Sequence, residues 1–350
     1  MLEWKKLGEI ANLVRGKVIS KDYIRDHEGL YPVYSSQTAN DGILGCIDSY
    51  MFDGDFLTWT TDGAYAGTIF RRKGKFNITN VCGLVDLTDK QVNQDFLYYW
   101  LSFVAKDYVN EGMGNPKLMS NVASTIRIPV PSIAEQSRIV GILDTFTASI
   151  ENLKQQIAQR RKQYEHYRDQ LLDLEGKEGV EMKRLSEVAE LGTGSSNTNE
   201  ELSMGKYPFF VRSQAVRYKD EYEFDETAII TSGDGVGVGK IFHFVEGKYA
   251  LHQRAYRIHL VKDGIVPKFF YYYFACHFYD YIQKNAFNSS VTSVRKPMLQ
   301  KFPMPIIDKE AQLSIISILE TFEASIANLE QQLAQRERQY EYYRNKLLTF

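Results

Sequence analysis

Leu143-Asp-Thr-Phe-Thr-Ala-Ser-Ile-Glu-Asn-Leu153 recurs as Leu319-Glu-Thr-Phe-Glu-Ala-Ser-Ile-Ala-Asn-Leu329, an offset of 176 residues. The match continues from Gln155-Gln-Ile-Ala-Gln-Arg160 (again at Gln331) to Tyr167-Arg-Asp-Gln-Leu-Leu172 (again at Tyr343). About two-thirds of some thirty aligned positions are identical. Self-similarity at one long offset marks a tandem architecture. Fainter echoes cover the rest. Glu3-Trp-Lys-Lys-Leu-Gly-Glu-Ile-Ala11 returns as Glu181-Met-Lys-Arg-Leu-Ser-Glu-Val-Ala189, and Asp62-Gly63 with Gly67 answers Asp234-Gly235 with Gly239. Ile128-Pro-Val-Pro131 with Glu135-Gln136 answers Phe302-Pro-Met-Pro305 with Ala311-Gln312. The chain therefore reads as two units, each a globular part followed by a long helix. The helices match closely and the globular parts poorly, which suggests one scaffold carrying two specificities.

In the first helix bulky residues fall at Leu143, Phe146, Ile150, Leu153, Ile157, Arg160, Tyr164, Tyr167 and Leu171. The second repeats them at Leu319, Phe322, Ile326, Leu329, Leu333, Arg336, Tyr340, Tyr343 and Leu347. Spacing that alternates three and four is a heptad seam and predicts a paired helix. Flanking charge selects the partner. Lys154, Arg161 and Arg168 line one helix where Glu323, Glu330 and Glu337 line the other, so each repels its own copy and attracts the other. An antiparallel pair sets Arg168 against Glu323, Arg161 against Glu330 and Lys154 against Glu337 in one register. That register places Phe146 on Leu347, Ile150 on Tyr343, Leu153 on Tyr340, Tyr164 on Leu329 and Tyr167 on Ile326. Exposed ion pairs contribute only about 0.2–1 kcal/mol each, so the seam drives association and the charges choose its direction. The pairing residues are thus Phe146, Leu153, Arg160, Tyr164, Phe322, Leu329, Arg336 and Tyr340.

The globular parts read as mixed α and β. Thr68 to Ile78 and Lys240 to Ala250 look like hairpins turning at a glycine, and the aromatic runs near Tyr98 and Tyr272 look like buried helices. The expected fold is α+β: two pseudo-twofold-related mixed domains, 1–138 and 177–314, separated by an antiparallel coiled coil of helices 139–176 and 315–350. Three cysteines, Cys46, Cys82 and Cys276, make no even framework and no CxxC pair, which argues for a reducing compartment. The N-terminus lacks an apolar signal core, and the run Phe269 to Ile282 is too short to span a bilayer. The chain is expected in the cytoplasm, with no membrane partner.

Two units that each open Trp/Met-Lys-Lys/Arg-Leu-x-Glu-Ile/Val-Ala resemble the target-recognition domains of type I restriction–modification specificity subunits. So does each closing stretch of Pro-x-Pro, Glu135-Gln136 or Ala311-Gln312, and long helix. Ala311 stands where the family has Glu. The resemblance spans the chain. It implies that each domain reads half of a bipartite duplex DNA site while the helices set the spacing. It also implies two docked adenine-methyltransferase subunits, further restriction–translocase subunits, and no catalysis by this chain. No cofactor is then its own; S-adenosylmethionine, ATP and Mg belong to the partners. A formal net charge of −2 means that phosphate contacts must be local or supplied by partners.

Gly233-Asp-Gly-Val-Gly-Val-Gly-Lys240 is not a phosphate loop, because Asp234 and Ile241 occupy positions that need Gly and Ser/Thr. Its counterpart Asp62 to Gly67 marks a position that wants a tight turn. Asp234 with Glu246 and Lys248 resembles the carboxylate–lysine set of metal-dependent nucleases and defines the rival reading; a coiled-coil adaptor that binds no nucleic acid is another. No further metal set is arguable. Arg, Lys, Asn and Gln make the common contacts to purine edges. The DNA-binding candidates are therefore Ser36, Gln37, Arg212 and Gln214 after matching strands, Arg71, Arg72 and Lys73 as phosphate contacts in a turn, and Lys117, Gln253, Arg254, Arg295 and Lys296 on polar, loop-like segments similarly placed within the units.

Overall fold

The computed structural model describes residues 2–285 and 293–350. It divides into two compact units, Met1–Leu153 with Gln332–Phe350, and Lys154–Gln331. In unit 1, β1 (Glu3–Lys6), α1 (Leu7–Ile10), β2 (Ala11–Arg15), α2 (Lys21–Asp26), β3 (Glu28–Tyr34), β4 (Ile43–Ile47), β5 (Phe52–Thr60), β6 (Ile69–Ile78), β7 (Cys82–Leu87), α3 (Gln94–Val104), α4 (Ser120–Ala123) and β8 (Arg127–Val130) lead into α5 (Ile133–Leu172). In unit 2, β9 (Glu181–Arg184), β10 (Ala189–Thr193), β11 (Tyr207–Phe210), β12 (Arg217–Lys219), β13 (Phe224–Ser232), β14 (Phe242–Leu251), β15 (Ala255–Leu260), α6 (Pro267–Asn285), α7 (Lys296–Gln300) and β16 (Pro303–Ile306) lead into α8 (Lys309–Leu347).

The units share one topology despite their poor sequence match. The six-stranded sheets run β2-β7-β5-β6-β3-β4 and β10-β15-β13-β14-β11-β12, and the two-stranded sheets pair β1 with β8 and β9 with β16. The repeated residues explain the agreement. Lys6 N–H donates to Glu9 at 2.7 Å and Arg184 N–H to Glu187 at 2.6 Å, which closes the opening turn in the same way. Gln136 is 0% exposed; it accepts from Asn93 N–H and donates to the Gln91 and Pro131 carbonyls. Gln312 is 1% exposed; it accepts from Val266 N–H and donates to the Gly264 and Ile307 carbonyls. The Glu/Ala-Gln step is therefore a buried amide that ties the base of each long helix to the loop before α3 or α6.

The aromatic runs are helices, as expected. α3 buries Phe96, Tyr99 and Trp100, and α6 buries Phe269, Phe270, Phe274 and Phe278, of which Phe274 and Phe278 pack on Phe302. The expected glycine hairpins are not there. β6 and β14 are each one ten-residue strand, with Gly74 (φ +80°) and Gly247 (φ +92°) in the middle. Gly74 lies opposite Gly54, and Gly247 opposite Glu226. The glycines relieve a local kink inside a continuous ladder rather than reversing the chain.

The antiparallel pairing of α5 and α8 is visible inside each unit. In unit 1 Phe146 stacks on Tyr343, with ring centroids 5.3 Å apart and an interplanar angle of 27°, and Arg336 lies 5.7 Å over Phe146. In unit 2 the equivalent Phe322 stacks on Tyr167 at 5.4 Å and 29°, and Arg160 lies 5.8 Å over Phe322. Arg161 meets Glu330 at 2.5 Å, as the charge pattern requires. The rings add contacts beyond the facing layers: Phe146 stacks on Tyr343, and Tyr164 and Tyr167 meet Phe322. Long rings reach diagonally past the facing layer, and such ring pairs add about 0.5–1.5 kcal/mol beyond the area they bury. Arg168 pairs with Asp169, while Glu323 accepts from Tyr164 and Tyr272 instead. Leu153 is buried; Leu329 and Tyr340 are half-buried.

Candidate nucleic-acid interface

In each unit the chain leaves the central strand through a glycine turn that carries an aspartate. Asp62 follows β5, with Gly63 (φ +92°) and Gly67 (φ +82°) shaping the turn; Asp234 follows β13, with Gly235 (φ +85°) and Gly239 (φ +71°). Each aspartate forms an isolated backbone bridge, Asp62 to Lys117 and Asp234 to Ser293. The positive φ values explain why glycine recurs at these positions.

Each carboxylate collects two cations from elsewhere in its unit. Asp62 Oδ1 lies 3.7 Å from Lys117 Nζ, and its Oδ2 lies 3.9 Å from Arg15 Nη2 and accepts from Thr61 Oγ1 at 2.6 Å. Asp234 Oδ1 accepts from Arg212 Nη1 at 2.7 Å, and its Oδ2 from Arg254 Nη1 at 3.2 Å. Burial alone would raise the Asp234 pKa, but the hydrogen bond and charge of Arg212, joined by Arg254, outweigh it and hold the carboxyl below its ordinary value. Arg212, Arg217, Asp234 and Val236 border an open cleft of roughly 310 Å³.

The remaining candidates separate by environment. Arg72 is 3% exposed. Its guanidinium bonds Asp41 at 2.6 Å and Thr58 at 3.2 Å and lies 3.6 Å over the Tyr34 ring. It braces the loop containing Asn40 and Asp41, both in left-handed conformation, and its guanidinium is committed to Asp41 and Thr58 inside the unit. Arg71 is held by Asp95 at 2.8 Å and Asp144 at 3.2 Å, over the Tyr98 ring, so it joins β6 to α3 and α5. Lys73 is exposed, 3.8 Å from Asp55. Ser36 and Gln37 lie half-buried in the loop after β3, where Gln37 Nε2 donates to the Ile43 carbonyl. In unit 2, Gln214 donates weakly to the Phe242 carbonyl at 3.4 Å and Gln253 to Asn197. Arg295 and Lys296 are exposed at the start of α7.

Asp234, Glu246 and Lys248 do not converge. Glu246 is level with Thr227 and Lys248 with Asp225. From Thr227 to the strand end at Ser232 is roughly 17 Å, before the Asp234 turn begins. Lys248 Nζ sits instead over the Tyr222 ring at 4.6 Å. Among the described residues no group of three or more His, Cys, Asp and Glu could hold a metal, and no helix is long and apolar enough to cross a membrane. Arg15, Asp62 and Asp234 are not among the DNA-binding candidates read from the sequence. The paired Asp-Gly turns signalled Asp62, whereas nothing in the chain order joins it to Arg15.

The profile of the "Type I restriction modification DNA specificity domain" family matches residues 1–160 and again 177–338. A Mycoplasma pneumoniae chain named as a type I specificity subunit is 34% identical over 249 residues, which is 68% of each chain. The MpnII type I restriction enzyme specificity subunit of the same organism is 37% identical over 169 residues, 47% of this chain and 51% of that one. Among solved structures, a type I S subunit from M. genitalium superimposes with a TM-score of 0.71 at 16% identity, over 100% of this chain and 96% of that one. A chain solved in work on assembly and conformational transition of the type I system gives 0.61 at 14% identity, over 99% and 97%. With one profile matched in tandem over most of its length, the chain belongs to the type I restriction–modification DNA specificity family.

Proposed function

We propose that this chain is the sequence-reading, non-catalytic subunit of a type I restriction–modification complex. Each unit reads one half of a bipartite duplex site, and the two helices set the gap. Two adenine-methyltransferase subunits dock on it, with restriction–translocase subunits beyond, and S-adenosylmethionine, ATP and Mg are bound by those partners. The observation that carries this reading is the contrast between constant frame and varied surface. The units agree strand for strand, and the buried Gln136 and Gln312 clamps match. The groups held at the equivalent turns differ: Lys117 and Arg15 in one, Arg212 and Arg254 in the other. A common frame that presents different hydrogen-bonding edges is what two half-sites of different sequence require.

The test exchanges residues 181–302 for those of a relative and maps methylated adenines with the assembled complex. One half of the site should change and the other stay. A change in both halves would overturn the one-unit, one-half-site reading.

A further inference from the structure

In unit 2, Arg212 comes from the loop after β11, Asp234 from the turn after β13, and Arg254 from the turn between β14 and β15. The three meet through a carboxylate that gives one oxygen to each guanidinium. Resting on the DNA-reading function above, we propose that Asp234 is a positioning residue that aims Arg212 and Arg254 at guanine edges in the half-site of unit 2.

Chemistry separates base reading from phosphate gripping here. A cluster built to hold phosphate is weakened by a carboxylate 2.7 Å from its cation, because the two anions repel. A guanine edge carries no net charge. It offers the O6 and N7 acceptors, which a planar guanidinium meets in bidentate fashion. Each arginine spends one N–H on Asp234 and keeps its remaining donors outside that contact. Arg254 stays 60% and Arg212 39% exposed, against 26% for the aspartate beneath them. A long side chain fixed at its head by a charged hydrogen bond has less rotamer freedom to lose on binding.

Unit 1 has the same seat with different occupants. Lys117 lies 3.7 Å and Arg15 3.9 Å from Asp62, and Arg15 also donates to the Asn80 carbonyl and to Thr61. Lys117 is a point charge without a fork. The aspartate is therefore the shared holder, and the cation it holds is what distinguishes the two readers.

The experiment uses the full chain assembled with its methyltransferase subunits. Adenine methylation is measured on duplex libraries randomised across each half-site, for wild type, Asp234→Asn, Arg254→Gln, Arg254→Lys and, as control, Asp62→Asn. Wild type should prefer guanine on one strand at one or two positions of the unit-2 half-site. Asp234→Asn and both Arg254 variants should flatten that preference by about 10- to 100-fold and leave the unit-1 half unchanged; Asp62→Asn should leave the unit-2 half unchanged. The intact unit-1 preference reports assembly within the same molecules, and the exposed Arg254→Lys keeps the test open should Asp234→Asn not fold. Unchanged preferences in the variants would overturn the proposal. So would a uniform loss at every position with a shallower salt dependence, which would mark a phosphate clamp. A wild-type complex with no preference in that half would instead sink the functional reading beneath it.

Discussion

The Gln136 side chain, itself fully buried, satisfies three part-buried backbone groups: the Asn93 N–H and the carbonyls of Gln91 and Pro131, each at 2.7–2.8 Å. Gln136→Leu keeps the volume and removes three hydrogen bonds, each contributing about 0.5–1.5 kcal/mol net, so a loss of roughly 1.5–4.5 kcal/mol is expected. Urea denaturation followed by a probe in unit 1 measures it, and Gln312→Leu should behave alike in unit 2. A loss under about 0.5 kcal/mol would mean that water replaces the amide. The sequence showed that a glutamine recurs here but not why, because its partners are set by the fold and not by chain order. Arg72 misled for a related reason. Taken as part of a turn, it looks like a free cation. Once Gly74 is inside a strand, alternation puts Arg71 and Lys73 on one face and Arg72 on the other, under Tyr34. The Asp234 seat was equally hidden, since Arg212 and Arg254 lie 22 and 20 positions from it.

At the scale of elements the helices were the most legible feature, because a three-four spacing of large side chains can be read without knowing any contact. Direction was legible too: the charges that predicted antiparallel pairing place Arg161 on Glu330. The diagonal ring stacks were not, since they depend on which way long aromatic side chains lean across a turn. The ring pairs Phe146–Tyr343 and Phe322–Tyr167 are images of one another across the repeat. Alanine double-mutant cycles on each pair should give couplings of about 0.5–1.5 kcal/mol, equal within error. Coupling in one pair and none in the other would show that the repeat has diverged in energy while keeping its geometry. The strands read least well, because an isolated glycine inside an alternating run is the same signal for a turn and for a kink.

For the whole molecule, the consequence of the proposed reading is a spacing rule. α5 and α8 each run through both units, and their described ring and ion-pair contacts fall on one side or the other of Ile157 and its repeat equivalent Leu333. Phe146 with Tyr343 and Arg336 lies on the first side; Arg160, Arg161, Tyr164 and Tyr167 with Phe322, Glu323 and Glu330 lie on the second. Towards the end of α5, Tyr164, Leu171 and Leu172 pack into the core of unit 2, so an insertion there would disturb that core. Four residues added after Ile157 and four after Leu333 keep every one of those contacts and lengthen both helices together. The extension is about 6 Å, against about 3.4 Å of rise per base pair. Four residues advance a helix by about 40° beyond a full turn, close to the roughly 36° of one base pair, so length and phase both favour a small increment. The preferred gap should grow by one or two base pairs with both half-sites unchanged, read by methylation on targets that vary only in gap. Single insertions, which shift one helix against the other and break the Phe–Tyr stacks, should instead lose stability. A doubly extended, active complex that kept the original gap would mean that the methyltransferase subunits, not α5 and α8, fix the distance.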